Sequence, residues 1–190
     1  MTAAQRPTPV RRSKDGRNWR IGTDADVAWI ADGTAPSLAI TSAIPPIFDA
    51  YATVDVPGDD GDRREQDRAL LNMLATPAPW WLGYLDTGAD DIVFTDVPMV
   101  TLYAGWHYVL VEAGPQQAAD WKDPSSWRGA LPDLIFPADR SWLVSTLWDD
   151  EWRCVGGSAD LIERLGRDAR VRARPVDLGN DATPPGHDAR

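Results

Sequence analysis

The sequence has few of the residues on which metal sites and disulfide frameworks depend. Its 190 residues include one cysteine, Cys154, and two histidines, His107 and His187. A single cysteine cannot form an intrachain disulfide, so the fold has to rest on its hydrophobic core. The three residues are also far apart in sequence, whereas zinc ligands usually come in closely spaced pairs. This spacing argues against a zinc site, and we predict no metal and no cofactor.

Long apolar runs are also missing. The longest fall far short of the roughly 20 residues that a membrane-spanning helix needs. The first residues contain no apolar stretch of the kind found in signal peptides. We expect a cytoplasmic protein without membrane contact. The many arginines beside only two lysines, Lys14 and Lys122, are typical of a high-GC bacterial gene.

Positive charge is in short supply. Asp and Glu number 29 against 19 Lys and Arg, which gives a formal net charge of −10. Affinity for nucleic acid comes mainly from cationic contacts to phosphates, so this charge argues against a nucleic-acid-binding protein. Complementary charge speeds encounter with the right partner and excludes wrong ones. The composition therefore favours a basic protein as the partner.

Tryptophan, in contrast, is abundant. The chain has ten Trp but only three Phe. Its overall composition, with 43% hydrophobic and 25% charged residues, is that of a globular protein. Indole rings suit sites that are half apolar and half wet, because they carry a polar N–H. A small-molecule site lined by Trp is one hypothesis, although the sequence names no converging polar groups for it.

The chain divides into one domain with two polar ends. Residues 1–18 carry five Arg and Lys, two prolines and almost no apolar side chain, which predicts a flexible basic arm. Residues 19–178 have the length and the apolar content of a single α+β domain. Residues 179–190 are polar and rich in Pro and Gly, which predicts a disordered tail.

Short helices are predicted in the first half of the domain. Thr23 and Asp26 form an approximate capping box at the start of a helix that ends at Ile30. Pro45-Pro46, followed by apolar residues on one side, predicts a second helix within residues 42–54. Residues 55–62 are acidic and Gly-rich, which predicts a mobile loop, and Leu spacing predicts a helix over residues 64–75.

The second half has the pattern of a sheet. Short aromatic and β-branched runs predict strands at residues 80–85, 91–95, 99–103, 106–112, 141–148 and 152–155. Their links are mostly too short for crossovers, which predicts a mostly antiparallel twisted sheet over residues ~80–176, packed by short helices. A helix is predicted over residues 115–121, and another begins after Ser158. Residues 171–176 predict an edge strand carrying Pro175.

Asp86-Thr87-Gly88 has a chemical and a structural interpretation. It resembles the Asp-Thr-Gly motif of retropepsin-type aspartic proteases. In a retropepsin-like homodimer, that resemblance makes Asp86 the catalytic acid/base, Thr87 a loop support and Gly88 a point of close approach. The structural interpretation is a polar turn between two strands, since Asp and Gly are turn formers. The single copy and the missing glycine-rich flap favour the turn.

The segment from Trp148 to Trp152 combines aromatic rings with acid. Asp149, Asp150 and Glu151 are predicted to close a hairpin in which Trp148 faces Trp152 across the strands. This tip is our candidate binding site for a basic protein, with an aromatic ring as its anchor. Asp90 and Asp91 add to the same acidic face. The alternative is a Trp pair over the core beneath a solvated turn.

Other reactive side chains have structural explanations. Ser158 lacks the Gly-x-Ser-x-Gly pattern of a nucleophile elbow and is predicted to cap a helix. We expect Cys154 to be buried and His107 to be a rim or core residue. The acidic runs lack the ligand spacing of a calcium loop, so no metal is predicted there.

The order of elements resembles the SUKH superfamily, many of whose bacterial members are toxin-immunity proteins. The segments that carry the resemblance are LGYLDTGADDIV at 82–93, LWDD at 147–150 and SADLIERL at 158–165. The resemblance implies an α+β fold and occlusion of a toxin without catalysis. We therefore predict a non-catalytic acidic protein-binding domain, an immunity or antitoxin-like factor that occludes a basic partner. The alternative is a retropepsin-like aspartic peptidase acting through Asp86.

Overall fold

A computed structural model describes residues 17–88, 94, 96–122, 130–148 and 150–187 of the chain. Within these ranges the chain forms nine strands, four α-helices and a 3-10 turn at Ile40–Ser42. The strands are β1 Arg20–Ile21, β2 Ala50–Asp55, β3 Trp80–Leu85, β4 Val100–Leu102, β5 Trp106–Ala113, β6 Leu134–Pro137, β7 Leu143–Ser145, β8 Trp152–Gly157 and β9 Ala173–Pro175. The helices are α1 Asp24–Ala31, α2 Asp60–Met73, α3 Pro115–Asp120 and α4 Ala159–Arg167.

All nine strands belong to one antiparallel sheet, which confirms the predicted α+β class. The strand order is β1-β5-β3-β6-β7-β8-β2-β9, and β4 pairs with the first half of β5. The predicted bounds of the sheet, residues ~80–176, are wrong, because β1 and β2 come from the first half of the chain. β2 lies inside the sheet, between β8 and β9.

Helices cover both faces of the sheet. One core cluster joins α2, α3 and α4 to the sheet through residues such as Leu70, Ala118 and Leu165. The other joins α1 and the 3-10 turn to the opposite face, through residues such as Val27 and Ile40. Strands buried on both faces need apolar residues at successive positions. All six residues of β3 are buried accordingly.

Several local predictions are confirmed. The Thr23 amide donates to Asp26 Oδ2 over 2.9 Å at the start of α1, as the capping box requires. Ser158 Oγ accepts the Leu161 amide over 3.2 Å at the start of α4. β3 has its predicted bounds, and β9, carrying Pro175, lies at the edge of the sheet. Proline is tolerated at an edge because its missing N–H removes no internal ladder bond.

The predicted helix within residues 42–54 is wrong, since residues 50–55 form β2. The two prolines do mark a turn, but pairing with β8 and β9 overrides the helical spacing that follows them. The predicted loop at 55–62 is also wrong in its second half, because α2 begins at Asp60. Asp59 Oδ1 accepts the amides of Gly61 and Asp62 over 2.8 and 3.1 Å. Acidic residues at a helix start are favourable because unpaired amides lie there.

Residues 179–187 differ from the disordered tail that composition predicts. The Ala182 amide donates to the Leu38 carbonyl over 2.8 Å, and Asp181 forms a β-bridge with Ala39. Arg174 donates to the carbonyls of Ala182 and Thr183. Backbone hydrogen bonds to distant segments therefore order a stretch that has little apolar content. The predicted basic arm lies outside the described residues except for residues 17 and 18.

None of the helices in the described part of the chain is long and apolar enough to cross a membrane.

Candidate functional site

The turn between β7 and β8 carries the described part of the predicted binding site. We call residues 147–151 the acidic turn. The Asp150 amide donates to the Leu147 carbonyl over 3.2 Å and closes the turn. Trp148 and Asp150 are half-buried, whereas Glu151 is exposed. Asp149, Asp90 and Asp91, which were predicted to share this face, lie outside the described residues.

The predicted pairing of Trp148 with Trp152 is wrong. β7 ends at Ser145, which pairs with Cys154, and continuing that register places Leu147 opposite Trp152. Trp152 is only 5% exposed and belongs to the core on the α1 face. Trp148 packs at the edge of the same core and stays partly accessible. Trp148 is therefore the ring of this pair that a partner can reach.

Two clefts flank the acidic turn, one on each face of the sheet. On the α1 face, Leu147 lines a cleft of 440 Å³ together with Tyr103 and Trp106. On the α2 face, Thr146, Asp150 and Glu151 line a smaller cleft of 200 Å³. Thr146 and Leu147 line different clefts because successive residues of an extended chain point to opposite faces of the sheet. The turn thus stands between two depressions.

Exposed carboxylates surround the turn. The side chain of Glu151 is 78% exposed and that of Asp55, at the end of neighbouring β2, is 41% exposed. His187 lies between them, with Nε2 2.8 Å from Asp55 Oδ1 and Nδ1 3.8 Å from Glu151 Oε2. Arg172 pairs with Asp62 at 3.0 Å and lies 3.9 Å from Asp55. Glu151 is the more accessible of the two acids to a cation on a partner.

Asp86, Thr87 and Gly88 follow β3. The Asp86 amide donates to the His107 carbonyl over 2.9 Å, which extends the pairing with β5. Asp86 Oδ1 accepts the Gly88 amide over 3.0 Å, and Gly88 has a φ of +69°. A side chain that bonds the backbone two residues ahead forms an Asx turn, and glycine suits the positive φ. This geometry agrees with the turn interpretation, while the peptidase alternative stays a prediction.

Asp86→Asn is expected to change the free energy of unfolding by less than about 0.5 kcal/mol, because the amide oxygen of Asn can still accept the Gly88 amide at this exposed position. Asp86→Ala removes the acceptor of the Gly88 amide and is expected to lower the free energy of unfolding by about 0.5–1.5 kcal/mol. Urea unfolding followed by circular dichroism measures both. If instead a peptidase activity is found that a statine mimic inhibits and Asp86→Asn abolishes, the retropepsin alternative is established.

Cys154, His107 and Ser158 have the structural positions that the sequence predicts. Cys154 is 3% exposed, and burial raises the pKa of its thiol well above the usual range. His107 is exposed at the rim, with Nδ1 3.3 Å from Thr101 Oγ1. Ser158 is engaged as a helix cap. In this arrangement the thiol is inert, because reactivity requires an accessible thiolate.

Cys154 is expected to react with an alkylating reagent at least about 100-fold more slowly in the native protein than in denaturant, since the buried thiol reacts only after opening. The difference should persist near pH 9, where an exposed thiol with a pKa of about 8.5 is largely ionised. Mass spectrometry of timed samples measures the two rates. Similar rates in native and denatured protein would contradict burial of the thiol.

A buried ionic network was missed at the sequence level. Arg153 Nη2 lies 2.7 Å from Asp67 Oδ1, with side chains 3% and 8% exposed. Arg153 Nη1 also donates to Gln66 Oε1 over 3.2 Å, and Gln66 Nε2 donates to the carbonyls of Asp55 and Val171. The alternation of side chains along a strand could have revealed the buried position of Arg153. Arg153 and Val155 are two residues apart in β8, so their side chains point to the same face of the sheet, and Val155 is apolar. The network ties α2 to the sheet beneath the smaller cleft.

The structure therefore keeps Trp148, Asp150 and Glu151 together at the surface and moves Trp152 into the core. It adds Leu147 and Asp55 to the candidate site. Comparison of the chain with protein-family models, with curated proteins and with solved structures finds no match.

Proposed function

We propose that the protein is a non-catalytic binding domain that engages a basic protein through the acidic turn. The observation that carries the proposal is the position of Trp148, a partly accessible ring on a turn flanked by Asp150 and Glu151 and by a cleft on either side. A partner that covers the turn can bury the ring and reach into both clefts.

In such a contact, the aromatic ring and the charged side chains contribute differently to binding. Large aromatic residues in the middle of an interface account for much of its binding energy, because they bury apolar area at little entropic cost. Charges at the rim mainly increase the association rate and select partners of opposite sign. Trp148 suits the first role, and Glu151, whose side chain is 78% exposed, suits the second.

The resemblance to the SUKH superfamily adds a biological class to the proposal. In that class the partner is a toxin, and binding occludes its active surface. The net charge of −10 supports a basic toxin, such as a nuclease, whose own substrate is anionic. We therefore propose an immunity or antitoxin-like role in which the acidic turn takes the place of an anionic substrate.

The test begins with the purified 190-residue chain as bait in the native lysate. The captured partner is identified by mass spectrometry, purified and titrated by calorimetry at low and high salt. Glu151→Lys is expected to weaken binding about ten-fold or more at low salt and less at high salt, because salt screens exposed charge. Trp148→Ala is expected to weaken binding about 30-fold or more.

The matched control is Glu163→Lys on α4, which makes the same charge change on a side chain that is 59% exposed. It is expected to bind the partner like the wild type, since Glu163 lies on α4, outside the acidic turn, and lines neither of the two clefts beside the turn. Equal affinities for wild type and Glu151→Lys, or equal losses in Glu151→Lys and Glu163→Lys, overturn the proposed site.

A further inference from the structure

The larger cleft beside the acidic turn has the size of a small-molecule site. It lies between the stretch that follows α1, the β4–β5 hairpin turn and Leu147, and its volume is 440 Å³. Ligand pockets typically measure about 300–1,000 Å³. We call it the aromatic cleft. Its lining includes Ala35, Ser42, Tyr103, Trp106 and Leu147.

The described lining of the aromatic cleft contains no Asp, Glu, Lys or Arg. This is unusual in a chain with 25% charged residues. A charged ligand entering such a cleft loses water without gaining a counter-charge, which is costly. An uncharged ligand loses far less. The described lining therefore offers no formal counter-charge to an anion or a cation.

Two aromatic side chains form one wall of the cleft. The rings of Tyr103 and Trp106 meet edge to face, with centroids 6.3 Å apart. The Tyr103 hydroxyl is already engaged, since it donates to the Ala43 carbonyl over 2.9 Å and accepts from Ser145 over 3.0 Å. Burial raises the pKa of this phenol well above its usual range, so it stays neutral. Tyr103 thus contributes a fixed ring rather than a reactive group.

Trp106 contributes a polar group as well as a ring. It is half-buried, and among the described residues its indole N–H has no hydrogen-bond partner. An indole N–H near an apolar cleft usually finds an acceptor, because leaving it unpaired on desolvation is unfavourable. A ligand that covers Trp106 therefore has to bring an acceptor or leave this donor in water.

The backbone that holds these rings is strained. In the hairpin turn, Tyr103, Ala104 and Gly105 have φ values of 48°, 63° and 106°. Left-handed conformations are unfavourable for residues with a side chain, and they persist where surrounding contacts hold them, often at ligand sites. Here the hydrogen bonds of Tyr103 to Ala43 and Ser145 hold the turn. The wall is thereby pre-organised.

We propose that the aromatic cleft binds an uncharged aromatic small molecule that stacks against Trp106 and Tyr103 and offers an acceptor to the Trp106 indole N–H. This inference does not depend on the proposed function, because the cleft can hold a small ligand whether or not the acidic turn binds a protein. The two sites share Leu147.

The test follows the indole N–H signals of the ¹⁵N-labelled full chain by NMR, with the Trp106 signal assigned from Trp106→Phe. Benzamide is the probe, because it is flat, neutral and carries a carbonyl acceptor. Benzoate, benzylamine and cyclohexanecarboxamide are the comparison compounds, each lacking neutrality or the aromatic ring. Benzamide is expected to shift the Trp106 signal saturably, with a Kd of about 1 mM, as suits so small a ligand. The comparison compounds are expected to bind at least about ten-fold more weakly.

Two variants locate the probe. Trp106→Leu removes the ring and the donor, and Ala35→Leu narrows the cleft at an exposed position where the fold tolerates a larger side chain. Benzamide binding to either, followed through backbone amide signals, is expected to fall at least about ten-fold. Glu163→Lys on α4, which packs on the other face of the sheet, is expected to bind benzamide like the wild type. The inference is overturned if benzamide gives no saturable shift, if benzoate, benzylamine or cyclohexanecarboxamide binds equally well, or if Trp106→Leu or Ala35→Leu retains wild-type affinity.

Discussion

Arg153→Met is expected to lower the free energy of unfolding by about 3–5 kcal/mol. The substitution removes the cation that lies 2.7 Å from Asp67 Oδ1, in a pair whose side chains are 3% and 8% exposed. It leaves the Asp67 carboxylate buried without its counter-charge. It also removes the hydrogen bond that Gln66 Oε1 accepts from Arg153. Urea unfolding of wild type and variant, followed by circular dichroism, measures the difference.

Arg172→Met is the control for this effect. Arg172 pairs with Asp62 at 3.0 Å, but the two side chains are 44% and 58% exposed. Exposed pairs contribute about 0–1 kcal/mol, so the control is expected to be nearly neutral. The double variant Arg153→Met with Asp67→Leu is expected to recover much of the loss, since it leaves no buried charge. Similar costs for Arg153→Met and Arg172→Met would contradict the buried pair.

Trp80→Ala is expected to cost about 3–5 kcal/mol, because the deletion opens a large cavity in a close-packed core. Trp80 lies in β3 and is 0% exposed. Its ring meets that of Trp142 edge to face, with centroids 4.9 Å apart. The same urea titration measures the loss of stability.

Two further variants separate volume from polarity at this position. The Trp80 indole N–H is buried without a hydrogen-bond partner among the described residues, so Trp80→Phe is expected to cost clearly less than Trp80→Ala. Trp148→Ala, at the surface turn, is expected to cost about 1 kcal/mol or less. If Trp80→Ala lowers the free energy of unfolding no more than Trp148→Ala does, the burial of Trp80 in the core on the α2 face is contradicted.

Unfolding measurements on the binding variants distinguish a loss of binding from a loss of fold. The acidic turn and the aromatic cleft lie on loops at the ends of β4, β5, β7 and β8, whereas Trp80, Arg153 and Asp67 lie in the interior. Loops on a rigid sheet tolerate substitution better than the core does. A loss of binding in Glu151→Lys or Ala35→Leu with unchanged unfolding therefore reports on the surface itself.

The elements that were predicted correctly have strong local signals. In α4, Ser158 caps the helix and Leu161 and Leu165 recur at helical spacing. In β3, six apolar residues stand between a Pro-rich turn and a polar one. Hydrophobic periodicity and end signals act over a few residues, so the sequence displays them directly.

The elements that were predicted wrongly depend on distant partners. β2 follows two prolines and has helix-like apolar spacing, yet it forms a strand because β8 and β9 offer backbone partners on both sides. β8 continues through Gly156 and Gly157, beyond its predicted end at residue 155. A Cβ on Gly156 would lie 2.4 Å from a ring carbon of Phe48, so glycine here makes room for a loop more than 100 residues away in sequence. Strand pairing and close approach are tertiary effects.

Composition and local pattern alone specify an acidic, Trp-rich α+β domain with capped helices and a polar turn at Asp86. They also single out the segment around Trp148 as a candidate site. Only the three-dimensional packing shows that Trp152 is core, that Arg153 is paired with Asp67 in the interior, and that Tyr103 and Trp106 line a cleft beside Leu147. The reason is physical. Helix ends and turns are determined by neighbours in sequence, whereas burial, ion pairing and clefts are determined by contacts between segments that the sequence separates.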